Sequence, residues 1–317
     1  MPYVFGPVPS RRLGLSLGVD LIPPKTCTFD CLYCQVGKTT TKSLMPEAHV
    51  PVAAVTEEVR RKLLKRRPDV ITLAGSGEPT LHSGFGRVIG AVKDMTDIPV
   101  ALLTNGSLFW KDEVRERALG ADIIMPTLTS ARETTFQTIH RPHPELRLDR
   151  IVSGLKRLRE EYTGRIFLEA VFLAGINDTD EEVSALRDLI VGIAPDKIQI
   201  NTVVRPPADA KARSLDRKRL EEIKVALGEK AEIVAEVLPK GQAGKAGRAA
   251  EDVLEMLTRR PLRQRDVEKA LDLGAEAAAD LLKGLLIKGY VRQQNHGGEI
   301  YYLPPGRNER EAKNPSP

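Results

Sequence analysis

Apolar, β-branched runs recur along the first two thirds of the chain, separated by amphipathic stretches. The runs fall at 15–22 (LSLGVDLI), 70–74 (VITLA), 98–103 (IPVALL), 122–128 (DIIMPTL), 166–173 (IFLEAVFL) and 197–204 (KIQINTVV). Each has the length and composition of a buried strand. Helical periodicity marks 51–66, 84–95, 110–119, 147–162, 179–192 and 215–228. The segments DTDEE at 178–182 and SLD at 214–216 carry N-cap or acidic first-turn character. Alternation of this kind implies βαβ units and a parallel sheet. The pattern predicts an α/β protein with a partial (β/α)6 TIM-like barrel over 1–238; a doubly wound open sheet is the alternative. In both architectures ligands sit at the carboxyl ends of the strands.

The rhythm changes beyond residue 238. A Pro-, Gly- and Lys-rich stretch at 239–248 (PKGQAGKAGR) reads as a linker. Helical patterns follow at 249–258, 263–272 and 275–288, then a two-stranded wing over 289–303 that turns at HGGE, 296–299. This arrangement resembles a small C-terminal winged-helix domain over 249–303. The polar tail 304–317 is expected to be disordered.

Composition alters this picture little. The chain is 41% hydrophobic and 29% charged, with a net charge of +5, which permits an anionic partner without demanding one. No run is long and apolar enough for a membrane span, and the N-terminal residues lack the pattern of a signal peptide, so a cytoplasmic protein with no membrane partner is expected. A winged helix invites a nucleic-acid reading, but residues 248–317 carry 12 Lys and Arg against 11 Asp and Glu. The helix that would enter a groove, GAEAAADLLKGLLIK, is mostly Ala and Leu; the basic residues concentrate instead at Arg259, Arg260, Arg263 and Arg265, a patch that could touch phosphates but need not. Docking of a peptide, dimerisation and covering of the barrel are the other roles open to this domain.

All three cysteines fall within KTCTFDCLYCQVG, 25–37: Cys27, Cys31 and Cys34. Their spacing is C-x3-C-x2-C, on the loop after the first predicted strand. Chance burial of thiols explains such clustering poorly. A structural zinc site needs four ligands, and neither His49 nor His82 falls at a finger-like spacing. An iron–sulfur cluster suits three thiolates. One iron then lacks a protein ligand, and an open position marks a site that does chemistry.

With Tyr33 before the last cysteine, this motif resembles the signature of the radical S-adenosylmethionine (SAM) superfamily. The resemblance implies a [4Fe–4S] cluster on Cys27, Cys31 and Cys34, with SAM on the open iron and Tyr33 near its adenine. It further implies reductive cleavage of SAM to a 5′-deoxyadenosyl radical, with electrons from a donor such as flavodoxin or ferredoxin. The next strand end, AGSGEPTLH at 74–82, is similar to the family's G-E-P motif, which makes Gly75, Gly77, Glu78 and Pro79 candidates for SAM binding. Its small residues would let a ligand approach the backbone. Thr104 and Asn105 in TNGSL resemble a SAM-facing turn. Glu169 interrupts an apolar strand, which suits either a hydrogen bond to SAM or a structural ion pair. Gln199, Asn201 and Arg205 follow at the last strand end, Asn201 as a candidate for SAM binding and Arg205 for pairing with a carboxylate or phosphate or for a surface salt bridge, and HRPHPELRLDR, 140–150, is a candidate substrate loop.

Within the superfamily, GPVPSRRLGLSLGVDLIPPKTCTFDCLYCQVGK and GSGEPTLH are similar to the group that includes the wyosine-forming tRNA enzymes. That likeness implies modification of tRNA. The chain has no flavodoxin-like domain and no cysteine for a second cluster. Radical modification of a peptide docked by the winged helix is the alternative. A non-catalytic Fe–S redox regulator that binds DNA is a further one, and an intact G-E-P segment argues against it.

Overall fold

The computed structural model describes residues 2–234 and 249–305. The chain begins with β1 (Val4–Ser10), β2 (Gly14–Val19), the two-residue strands β3 (Thr26–Cys27) and β4 (Thr41–Lys42), α1 (Val52–Leu63) and β5 (Val70–Leu73). A 3-10 turn (Pro79–Leu81), α2 (Phe85–Met95), β6 (Val100–Thr104), α3 (Asp112–Ala118) and β7 (Ile123–Pro126) come next. Then follow α4 (Glu133–His140), α5 (Leu148–Glu161), β8 (Arg165–Val171), α6 (Asp180–Ile193), β9 (Lys197–Asn201), α7 (Arg217–Leu227) and β10 (Ala231–Ile233). The C-terminal part holds α8 (Ala249–Leu257), α9 (Gln264–Leu271), α10 (Ala275–Ile287) and the hairpin β11 (Arg292–His296) to β12 (Glu299–Leu303).

Eight strands form one sheet in the order β1-β2-β5-β6-β7-β8-β9-β10. All neighbours from β2 to β10 pair in parallel, and only β1 runs antiparallel. Every residue of β5 and β7 is buried, as expected of strands covered on both faces. The helices supply that cover through apolar stripes. On α5, Leu148, Ile151, Val152, Leu155 and Leu158 face inward, the spacing of one helix face. Thr179 caps α6 by accepting from the Glu182 amide, and Asp216 caps α7 by accepting from Arg219.

The partial barrel expected from the alternation is present, with three elements that the pattern did not reveal. Strand β1 (VFGPVPS) contains two prolines and a glycine, which mask it as a strand; it is an edge, where missing amide donors are tolerated. Helix α4 (ETTFQTIH) is short and holds three threonines, so its propensity signal is weak. The expected loop at 140–150 therefore begins on the last residue of a helix. β10, three residues long, extends the sheet by one more parallel strand.

Curling of the sheet is visible in contacts between its distant edges. Arg12, in the turn between β1 and β2, places Nη1 2.8 Å from Glu169 Oε1 on β8. Arg11 donates to Asn201 Oδ1 on β9 at 3.3 Å. The C-terminal elements pack against this seam. Phe5 and Val8 of β1 share one apolar core with Val253, Leu257, Leu262, Val267 and Leu282. Arg259 forms a buried pair with Asp20 at 3.3 Å and donates to the Pro2 carbonyl at 2.7 Å, while the Tyr301 hydroxyl donates to the Val204 carbonyl. On α10, Ala275, Glu276, Ala277, Asp280, Lys283 and Ile287 are exposed, a face poor in the Arg, Lys, Asn and Gln that read a DNA groove. The linker expected at 239–248 and the tail from 306 lie outside the described residues.

Candidate active site

The cysteine loop is held on three sides by backbone hydrogen bonds. Lys25 N donates to Ser76 O at 2.9 Å and Glu78 N to Thr26 O at 3.2 Å, which ties it to the loop after β5. Asp30 N donates to His140 O at 2.8 Å and Leu32 N to Ile139 O at 2.9 Å, which ties it to α4. Asp209 N donates to Leu32 O at 3.1 Å from the segment after β9. The loop thus draws its shape from the segments after β5 and β9 and from the end of α4.

Gly75 and Gly77 serve this docking. A Cβ on Gly77 would lie 1.9 Å from Thr26 O, and one on Gly75 would lie 2.2 Å from the Asp20 carboxyl carbon. The tight approach here is made by the protein's own backbone and by Asp20, where the sequence suggested a ligand. Glu78 is a strut. Its Oε1 accepts from Thr80 N (3.1 Å), Thr80 Oγ1 (2.6 Å) and Thr104 Oγ1 (2.5 Å), and its Oε2 from Asn105 N (2.7 Å). Those bonds lock the Gly-Glu-Pro turn to the Thr-Asn-Gly turn. Burial still raises the Glu78 carboxyl above its ordinary range against these donors.

A cavity of about 370 Å³ opens inside the barrel. Cys27, Cys31, Tyr33, Cys34, Gly75, Gly77, Glu78, Pro79, Thr104, Asn105, Glu169 and Asn201 all line it. Asn105 Nδ2 lies 2.7 Å from Thr28 Oγ1 and 3.6 Å from Cys27 Sγ. The two alternatives for Glu169 resolve into one geometry. It pairs with Arg12, accepts from Asn201 Nδ2 at 3.0 Å, and still faces the cavity. Burial disfavours its charge, but Arg12, Asn201 and Arg11 outweigh that and hold its carboxyl below the usual range. Gln199 donates to Glu232 Oε1 at 3.0 Å, and neither it nor His143 lines the cavity.

Several contacts at this site were not legible in the sequence, and His140 was expected only as part of a candidate substrate loop. His140 lies with Nδ1 3.1 Å from Cys31 Sγ and Nε2 2.6 Å from Thr129 Oγ1. Burial drives its pKa down to about 3, so the imidazole is neutral. Arg11, Arg12, Arg259 and Arg260 line the cavity from the β1–β2 turn and from the end of α8. They stand some 250 residues apart in sequence, and nothing in either local pattern links them.

The thiol chemistry fits a cluster. Burial, then the charge of Glu78, pushes Cys27 up to about 12, and burial with the neighbouring thiols pushes Cys31 well above its ordinary value. Cys27 and Cys31 therefore stay protonated until cationic iron displaces the protons. Among the described residues, no three His, Cys, Asp or Glu side chains are close enough to share one metal ion.

Fold and site together define a partial-barrel enzyme with three thiols on one loop at its central cavity. The Radical SAM superfamily model matches residues 21–190, and the chain belongs to that superfamily, whose cofactors are a [4Fe–4S] cluster and SAM. It is 31% identical to the UPF0026 protein MJ1312 of Methanocaldococcus jannaschii over 96% of both chains. It is 35% identical to the GTPase Obg of Brachyspira hyodysenteriae over 94% of this chain, which spans only 45% of that relative. In fold it is similar to a radical SAM methyltransferase from Sphaerobacter thermophilus, with TM-score 0.50 and 17% identity over 69% of this chain and 65% of that one. Among the described residues no helix is long and apolar enough to cross a membrane.

Proposed function

We propose that Cys27, Cys31 and Cys34 hold one [4Fe–4S] cluster at the carboxyl end of the barrel, and that SAM binds beside it against the Gly-Glu-Pro and Thr-Asn-Gly turns. One observation carries this reading. The three thiols and both turns line one cavity, locked together by Glu78 and by the backbone bonds of the cysteine loop. When bound, the pair supplies a 5′-deoxyadenosyl radical by one-electron reductive cleavage of SAM, with methionine as the other product and an external donor of the flavodoxin or ferredoxin type as the electron source.

The chain's own residues do the positioning. Asn105 and Thr28 fix the side of the site next to Cys27. Tyr33 stands edge-on to His140, with ring centroids 5.9 Å apart, and offers an aromatic wall for an adenine. Glu169 and Asn201 give the barrel interior hydrogen-bonding groups for ribose hydroxyls or substrate. A barrel interior that excludes water once cofactor and substrate fill it would protect a radical from side reactions. The protein positions, and the hard chemistry belongs to the cofactors.

For the substrate we propose modification of tRNA, supported by the similarity of the cysteine-loop sequence to the wyosine-forming group and by a cavity rich in arginine. The C-terminal elements, proposed as a winged-helix-like domain, act here as a cover for the barrel seam. The test is mass spectrometry of tRNA nucleosides from a strain lacking the gene. One missing modified nucleoside, restored by the wild-type gene and not by Cys31→Ala, is expected. An unchanged nucleoside profile would move the substrate to a peptide or a small metabolite.

A further inference from the structure

Five arginines line the cavity from three separate segments: Arg11 and Arg12, Arg205, and Arg259 and Arg260. Two are neutralised. Arg12 pairs with Glu169 and Arg259 with Asp20. Among the described residues, the other three each donate to one neutral acceptor: Arg11 to Asn201 Oδ1 at 3.3 Å, Arg205 to Gln35 Oε1 at 3.1 Å, and Arg260 to the Pro9 carbonyl at 3.3 Å. A guanidinium offers five N–H donors, so most of theirs are unused. Arg205 is only 8% exposed, and its buried Nε, like that of Arg260, has no hydrogen-bond partner among the described residues.

Buried cations without counter-charges are costly and persist only when something compensates them. The nearby carboxylates are already engaged: Glu169 by Arg12, Asp20 by Arg259, and Asp266 by Arg263 at 3.2 Å. Glu169 and Asp266 act on these three only through space; burial and mutual repulsion outweigh them and lower Arg11 to about 10, Arg260 to about 9, and Arg205 as well. SAM carries a single carboxylate, enough for one guanidinium. Two guanidiniums lining the same cavity would still lack an anion. A phosphoryl group offers two or more anionic oxygens and accepts bonds from more than one guanidinium at once.

We infer that Arg11, Arg205 and Arg260 form a subsite for a phosphoryl group of the substrate, bound in the same cavity as SAM and completed by the C-terminal part of the chain. This inference rests on the proposed SAM site and narrows its substrate to a phosphate-bearing one. The phosphate belongs either to an RNA phosphodiester or to a small phosphorylated metabolite. The C-terminal elements thereby gain a specific role, since Arg260 enters the cavity only because α8 ends against β1.

The test is titration calorimetry of the anaerobically reconstituted full-length protein with inorganic phosphate, with and without saturating SAM. Saturable binding that persists in the presence of SAM is expected. Arg205→Gln and Arg260→Gln should each weaken it roughly tenfold, the loss of one charge-assisted hydrogen bond, and Arg260→Lys should lose less. Folding of each variant is checked by its unfolding transition, and the milder lysine variant keeps the comparison valid if a glutamine variant unfolds. Ribose 5-phosphate and an RNA trinucleotide then serve as competitors, and displacement by either supports the subsite and identifies its source. No saturable binding, equal affinity in the folded variants, equal competition by acetate, or displacement of phosphate by SAM would overturn it. SAM cleavage by the wild-type protein is measured alongside. Cleavage without phosphate binding sinks the subsite alone, and phosphate binding without cleavage sinks the enzyme reading alone.

Discussion

His140 Nδ1 lies 3.1 Å from the sulfur of Cys31, and its Nε2 lies 2.6 Å from Thr129 Oγ1. A thiolate only accepts, so with iron bound the proton sits on Nδ1 and the Thr129 hydroxyl donates to Nε2. A hydrogen bond to a ligand sulfur tunes a cluster's potential. It favours the more negative, reduced state. Replacing His140 by Phe therefore lowers the midpoint potential. A net hydrogen bond of about 1 kcal/mol corresponds to ~40 mV for a one-electron couple. A redox titration followed by electron paramagnetic resonance reads the shift, and an unchanged potential would remove His140 from the cluster's environment.

The strut role of Glu78 has a cost that can be measured without any cofactor. Glu78→Ala leaves Thr80 N, Thr80 Oγ1, Thr104 Oγ1 and Asn105 N without their acceptor. With one or more of these donors unsatisfied in the interior, the loss is about 3 kcal/mol. Urea unfolding of the cluster-free protein checks it, and Glu78→Gln, which keeps one acceptor oxygen, should lose less. A variant as stable as the wild type would contradict the strut.

Gly77 has no room for a methyl group, because the Thr26 carbonyl stands 1.9 Å from where its Cβ would be. Gly77→Ala must push the cysteine loop away from the turn. The expected result is loss of most reconstituted iron, read by iron analysis and visible absorbance, in a protein that is still folded by circular dichroism. Full iron loading would show that the loop does not depend on this contact.

Asp266 sets an acid limit for the C-terminal part. Burial opposes its charge, but Arg263, Arg205 and Arg260 outweigh burial and hold the carboxyl at about 2, below its reference value of 3.8. A depressed folded-state value means that the unfolded chain binds the proton more readily. The stabilisation is therefore complete above about pH 4 and is lost as the pH falls through about 2, a change of about 2 kcal/mol. Asp266→Asn should flatten that part of the stability curve in acid denaturation. An unaltered curve would contradict the assignment.

Much of this architecture was legible in the sequence, and the reasons for the exceptions are physical. The strands from β5 to β9 are buried on most of their residues, so they announce themselves as apolar runs. β1 does not, since an edge strand accommodates Pro7 and Pro9. The cysteine loop and the two glycine turns were recognisable because each is a contiguous motif. That Arg11 and Arg260 line one cavity was not, because the two come together only after the sheet has curled and the C-terminal helices have packed on β1. The contact of His140 with Cys31 was hidden in the same way: the two stand 109 residues apart. Local pattern reports what a segment is, and it is silent on what folding brings beside it.

The central claim is that the three thiols hold a cluster that cleaves SAM. Anaerobic reconstitution with iron and sulfide, reduction with dithionite, addition of SAM and chromatography for 5′-deoxyadenosine test it directly. The wild-type protein should load close to four irons per chain and form 5′-deoxyadenosine together with methionine, and Cys31→Ala should form neither. A fully loaded wild-type protein that leaves SAM intact under reduction would contradict the account.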